Sequence, residues 1–248
     1  MTIAALILAA GRGERMRPLT DGTPKPLLAV RGKPLIDWHV DALMRGGFRH
    51  IVINTAWLGD QITSHFDSHP ARNGHDALSI SYSHEGTDFG GALETAGGIA
   101  RALPHLGEVV WVLAGDVFVP DFAFTQAAVK RFTASGKLGH IWLVPNPPHN
   151  LKGDFGLGGN GLAINLPADS TAPRLTFSTI GLYRKALFDA LPFGNPQGLK
   201  APLAPLLRAA MDNQSISAEL YPGAWTDVGT PARLAELNQL SQAIAPSP

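Results

Sequence analysis

The sequence contains no cysteine in 248 residues. That excludes a disulfide scaffold, a thiolate nucleophile, an iron–sulfur cluster and every cysteine-based zinc site. It also lacks net charge, since 20 Lys and Arg balance 20 Asp and Glu. A chain without a basic excess is poorly suited to gripping nucleic acid or an anionic membrane, and neither is expected as a partner. No apolar run approaches the ~20 residues that span a bilayer. Ile3–Ala10 is apolar but lacks the basic leader of a signal segment, so a cytoplasmic location is expected. There is no low-complexity linker, no internal repeat and no hexapeptide β-helix pattern. Nothing in the sequence indicates an oligomeric state.

What is present is enough apolar surface for a substantial core: 45% hydrophobic residues against 16% charged. Strand and helix signals alternate. Ile3–Ala10, His50–Asn54, Leu78–Ser83, Val109–Ala114 and His140–Val144 read as strands. Pro34–Arg45, Leu58–Phe66, Glu94–Leu103 and Asp121–Phe132 read as helices between them. On Pro34–Arg45, Asp37, Asp41 and Arg45 share a face expected to be solvated. Residues 145–173 are rich in Gly, Pro and Asn. They are followed by a strand at Arg174–Tyr183, a helix at Pro202–Met211, a short strand at Trp225–Val228 and a closing helix at Pro231–Ala243; Ala245–Pro248 are expected to fray. The alternation predicts an α/β fold with an open, mainly parallel sheet and helices on both faces. One domain is expected over 1–248, with 145–248 closing over the sheet built by 1–144.

The charge balance hides an asymmetry. Arg12, Arg15, Arg17, Lys25, Arg31 and Lys33 face only Glu14 and Asp21 within one window, which therefore carries +4. A strand enters this window through Leu8-Ala9-Ala10-Gly11-Arg12-Gly13, and Pro24-Lys25-Pro26-Leu27 follows it. Gly11 and Gly13 let backbone N–H groups approach a phosphate, and Arg17 and Lys25 are candidates to neutralise it. A dinucleotide fingerprint would need a small residue where Met16 stands, and a Walker A loop would need Gly-Lys-Ser/Thr. Gly115-Asp116 follows the buried strand Val109–Ala114, at the strand end where an open sheet presents ligands. Asp116 there is either a ligand for a hard cation or a turn residue, and Asp227 is either its partner or a strand-end turn. His65 and His69 stand at i, i+4, with Asp67 between them and His75-Asp76 nearby; they suggest either a zinc site or a surface loop.

The stretch Leu8–Thr20 with Pro24–Leu27 resembles the signature of the sugar-phosphate nucleotidylyltransferases. Leu93-Glu94-Thr95-Ala96-Gly97-Gly98, Gly115-Asp116-Val117, Phe177-Ser178-Thr179-Ile180-Gly181 and Trp225–Pro231 match in the same order. The short length, L-E-T-A-G-G and G-D-F near 154 most resemble the branch that joins UTP to N-acetylmuramic acid α-1-phosphate in cell-wall sugar recycling. A guanylyl- or thymidylyltransferase of another hexose 1-phosphate is the alternative, and a non-catalytic nucleotide-sugar sensor is the reading from another class.

The resemblance implies a Mg²⁺-dependent enzyme with UTP and a sugar 1-phosphate as its small-molecule substrates. It implies Asp116 and Asp227 as metal ligands, and Arg17 and Lys25 as the catalytic cations. Ala10, Gly11, Gly13, Arg15, Glu94, Thr95, Gly97 and Gly98 would lie along the nucleotide, although tight packing equally accounts for the Gly97-Gly98 pair. Asp154, Ser178 and Gly181 would address the sugar. Its carboxylate requires a cation or N–H donors. Lys200, or failing that Lys152, is expected there, because both lie in loops, whereas Arg208 and Arg233 lie on helices and are expected in solvent.

Overall fold

The computed structural model describes residues 3–69 and 77–242. Seven strands form its central sheet: β1 (Ala4–Leu8), β2 (His50–Thr55), β3 (Ser79–His84), β4 (Val109–Ala114), β5 (Gly139–Val144), β6 (Thr176–Arg184) and β7 (Ile216–Leu220). Their order is β7-β5-β6-β4-β1-β2-β3. Every neighbouring pair is parallel except those made by β6, which runs antiparallel to both β4 and β5.

The sheet is buried on both faces because its strands alternate between two cores. In β1, Ala5 and Ile7 join Ile36, Val40 and Leu43 of helix α1 (Leu35–Arg45) and Ile62 and Phe66 of α2 (Gly59–Asp67). Ala4 and Leu6 point the other way, to Ile99 of α3 (Glu94–Ala102). Phe132 of α4 (Gln126–Ser135) belongs to the first core, and Leu203 and Leu207 of α5 (Leu203–Asp212) to the second. A third, smaller cluster joins Met16 of the basic loop to Phe118, Val228 and Leu234 and Leu237 of α6 (Pro231–Gln242). The loop after β1 and the C-terminal segment are therefore packed on each other.

Some element boundaries differ from the sequence reading. The helix expected at Asp121–Phe132 starts at Gln126, where the Thr125 hydroxyl accepts from Ala128 N at 3.1 Å and caps it. Upstream, Phe122 and Phe124 are both buried around Trp111, with the Phe124 ring centroid 5.0 Å from it. This aromatic packing overrides helical continuity there. Strand β7, Ile-Ser-Ala-Glu-Leu, was not anticipated; it is a five-residue edge strand carried by its pairing with β5. Asp37 does not share a solvated face with Asp41 and Arg45; it is buried. His75-Asp76, Ala243 and Ala245–Pro248 lie outside the described residues. Among the described residues no helix is long and apolar enough to cross a membrane.

Candidate functional site

The register of the sheet aligns Leu8 of β1 with Asn54 of β2 and Ala114 of β4, all at the carboxyl ends of parallel strands. A cleft opens above this row in two halves, of about 480 Å³ and about 550 Å³. Both are lined by Leu8, Glu94, Thr95, Ala114 and Thr179, so they are one continuous site.

Ala10, Gly11, Gly13, Arg15 and Lys25 line the first half. Gly13 has φ +68°, a left-handed conformation that suits glycine, and the Thr20 hydroxyl holds its carbonyl at 2.9 Å. Met16 anchors the following turn in the third core, and the arginines on either side of it separate. Arg15 lines the cleft, with Nη2 3.4 Å from where a Cβ on Gly229 would sit. Arg17 does not line it. Its Nε donates to Asp21 at 2.9 Å, and its side chain is 58% exposed. Arg12 also binds Asp21, at 2.8 Å, and lies 3.8 Å over the Trp57 ring. The Arg12 guanidinium, with Arg17 beside it, holds the Asp21 carboxyl below its ordinary range. Lys33 is paired with Asp41, and Arg31 lies over Phe118. Most of the +4 segment is thus spent on its own scaffold, and Arg15 and Lys25 are the two of its cations that line the cleft.

Lys25 is buried and its Nζ donates to Asp116 Oδ2 at 2.7 Å. Asp116 and Asp227 come from neighbouring backbones. Val117–Phe118 pairs with Thr226–Asp227 in a small antiparallel ribbon, and Val228 N donates to Asp116 O at 2.9 Å. The Asp227 carboxylate is held by Arg233 and by His149 Nε2 at 2.8 Å. Asp116 lines the cleft, whereas Asp227 is not among its lining residues; carboxylates on adjacent backbones supply the hard oxygen donors of a magnesium-like cation, which takes few carboxylates and completes its shell with phosphate oxygens and water. Arg233, expected in solvent, is a direct partner of one of these carboxylates.

Beneath the first half lies a polar network that sequence reasoning missed. Asn54 accepts from Ala9 N at 2.6 Å and donates to Glu85 Oε1 at 2.6 Å, while Leu93 N donates to Glu85 Oε2 at 2.7 Å. Glu85 is fully buried, and burial pushes its carboxyl up. The available signal was positional, a polar residue at the carboxyl end of a parallel strand. Glu94 and Thr95 line the cleft at the start of α3, but Gly97 and Gly98 do not. A Cβ on Gly97 would lie 2.4 Å from Leu199 O, and one on Gly98 would lie 2.5 Å from Glu85 Oε1. Close packing, not nucleotide contact, is what requires these glycines here.

The second half is lined by Asp154, Phe155, Phe177, Tyr183, Leu203, Leu207 and Arg208, among others. Asp154 is fixed by Phe177 N at 2.8 Å and by Asn150. Ser178 does not reach the cleft. In β6 a bulge lies between Phe177 and Gly181; the fully buried Ser178 hydroxyl fills it, donating to Trp142 O at 2.7 Å. Thr179, at φ +65°, is the bulge residue that faces both halves. Gly181 is also structural, because a Cβ there would lie 2.5 Å from the Tyr183 hydroxyl. That hydroxyl is buried without a partner among the described residues, and burial pushes its pKa up. Lys200 and Lys152 are exposed and do not line the cleft. The segment holding Lys200 instead satisfies the start of α3, where Ala96 N and Gly97 N donate to Ala201 O.

His65 and His69 do come together, with the buried Asp37 as third member and ligand atoms within 4.8 Å of one another. His65 Nε2 lies 2.7 Å from Asp37 Oδ1, a contact that ties α2 to α1.

A family model described as Nucleotidyl transferase matches residues 4–243. The N-acetylmuramate α-1-phosphate uridylyltransferase of Neisseria meningitidis serogroup B is 47% identical over 96% of this chain and 98% of its own length. The enzyme of the same name from Caulobacter vibrioides is 31% identical over 96% of this chain and 97% of its own. Among solved structures, a Bacillus anthracis protein in complex with sucrose superposes with TM-score 0.73 at 21% identity, covering 99% of this chain and 98% of that one. HddC from Yersinia pseudotuberculosis gives TM-score 0.69 at 17% identity, with 96% and 99% covered.

Proposed function

The chain belongs to the nucleotidyl transferase family, and from that premise we propose that it joins UTP to N-acetylmuramic acid α-1-phosphate, giving UDP-N-acetylmuramic acid and pyrophosphate. It is a sugar 1-phosphate nucleotidyltransferase, and the muramate substrate fits a role in peptidoglycan recycling. The observation that carries the chemistry is the meeting of Asp116, Lys25 and Arg15 at one end of the cleft, with Asp227 on the backbone paired beside that of Asp116.

A sugar phosphate oxygen attacks the α-phosphorus of the nucleotide, and the bond to the pyrophosphate oxygen breaks. A phosphate monoester is already largely dianionic at neutral pH, with a second pKa near ~6. No general base is needed, and alignment and charge neutralisation suffice. Gly11 and Gly13 leave the loop backbone open to the triphosphate. Arg15 takes the role that the sequence assigned to Arg17 and binds the departing phosphates. Lys25 neutralises charge developing at the α-phosphorus, and its bond to Asp116 holds its ammonium in place. Asp116 and Asp227 would hold Mg²⁺, which supplies Lewis acidity to the phosphate oxygens. Asn54 and Glu85 set the floor of the nucleotide half, and Asp154 and Thr179 face the sugar half.

Pyrophosphate release over a panel of nucleoside triphosphates and sugar 1-phosphates, with and without Mg²⁺, tests the reading. The highest kcat/KM is expected for UTP with the muramate phosphate. A preference for mannose or glucosamine 1-phosphate overturns the sugar, a preference for GTP or dTTP overturns the base, and no release with any pair overturns the enzyme.

A further inference from the structure

We propose that Arg208 is the specificity residue of the sugar half, receiving the carboxylate that distinguishes an acidic sugar phosphate from its neutral counterpart. This rests on the sugar substrate proposed above and assigns its recognition.

Arg208 is the one cation among the described residues that line this half. It follows Leu207 on α5, whose buried Leu203, Leu207, Ala210 and Met211 fix the helix against the second core. Its guanidinium lies 5.1 Å over the Phe155 ring, and Nη1 donates to Asn165 Oδ1 at 2.7 Å. Asn165 is itself held, donating to Asp212 at 3.0 Å. The guanidinium is thus oriented by a neutral acceptor and an aromatic face. No carboxylate among the described residues lies within ion-pair distance of it. A cation held without a counter-ion beside Phe155, Phe177, Leu203 and Leu207 offers a planar, partly dry fork suited to a carboxylate.

Two acids also line this half. Asp154 accepts from Phe177 N and Asn150, and Glu94 stands at the junction with the nucleotide half. An acidic substituent is therefore repelled from those ends and drawn to the Arg208 side. Tyr183 also lines this cavity, but its hydroxyl is buried against Gly181, so Arg208 remains the cationic group presented there.

The test compares kcat/KM for muramate and glucosamine 1-phosphates with saturating UTP, in wild type, Arg208→Ala and Arg208→Lys. Loss of a charge-assisted hydrogen bond predicts that Arg208→Ala lowers the muramate-over-glucosamine ratio about 10- to 100-fold. Arg208→Lys should recover part of the ratio, and the KM for UTP should hold in both variants. Transfer to glucosamine phosphate reports folding within the same assay. An unchanged ratio in Arg208→Ala overturns the assignment while the proposed function stands. An equal fall for both sugars with UTP binding intact also overturns it, since Arg208 would then only shape the pocket. A wild type without preference for the muramate phosphate overturns the substrate reading and, with it, this role.

Discussion

Arg15 and Arg17 stand two positions apart in one basic loop, yet the buried Met16 between them sends them to different tasks. Arg15→Ala should lower kcat/KM for UTP at least about 100-fold, the size of losing charge-assisted contacts to phosphate. Arg17→Ala should change it less than tenfold, because its exposed pair with Asp21 is worth little. Steady-state pyrophosphate release decides this, and the opposite ranking would sink the assignment of Arg15. At the acidic residues, Asp116→Ala and Asp227→Ala should each abolish most turnover, with the double variant little worse than either, since groups holding one ion act as a unit. Activity persisting in the double variant counts against a shared metal. Lys25, Asp116 and Asp154, singled out by motif, all line the cleft. Arg17, Lys200 and Ser178 do not line it, because chain position does not reveal orientation: one residue of shift in the β6 bulge exchanges Ser178 for Thr179 at the cleft.

Among the elements, the strands were the most legible, because a short continuous apolar run has few other fates in an α/β fold. The α4 start was not, since Phe122 and Phe124 answer to Trp111 rather than to helical spacing. Strand β7 was missed for a related reason, because its pairing with β5 is non-local. Helix α3 carries the sharpest test at this scale. Its glycines were read as possible nucleotide contacts, but Gly98 faces Glu85 Oε1 at 2.5 Å and Asn54 Nδ2 at 2.8 Å from a Cβ built on it. Gly98→Ala should push this buried network apart and destabilise the fold by about 1–3 kcal/mol, despite the better helix propensity of Ala. Gly91, with no atom within 4 Å of its would-be Cβ, is the control, and its Ala variant should unfold near the wild-type midpoint. Urea denaturation of the two variants compares an occupied Cβ position with an open one; equal midpoints would contradict the packing account of Gly98.

For the whole molecule, the pH dependence of stability should carry the mark of His39. This residue lies on the core-facing side of α1, 1% exposed, and burial lowers its pKa from 6.5 to about 4 against the opposing influence of Val117 and Asp116. The unfolded chain binds a proton near pH 6.5 and the folded chain only near pH 4, so the folded state holds fewer protons between those values. The stability contribution is complete above pH 6.5 and is lost as pH falls toward 4, amounting to about 3 kcal/mol at the lower limit. His39→Gln removes the titrating ring. It should lower stability at pH 7 through lost packing, and its unfolding free energy should fall less steeply below pH 6.5 than that of the wild type. Because Val117 and Asp116 lie against His39, acid should weaken the ribbon that carries the first carboxylate as well as the global fold. Urea unfolding at intervals from pH 4 to 8 measures the difference directly. Parallel curves for the two proteins across that range would show that the ring does not stay neutral at the cost of stability, and would assign the acid sensitivity to carboxylates elsewhere.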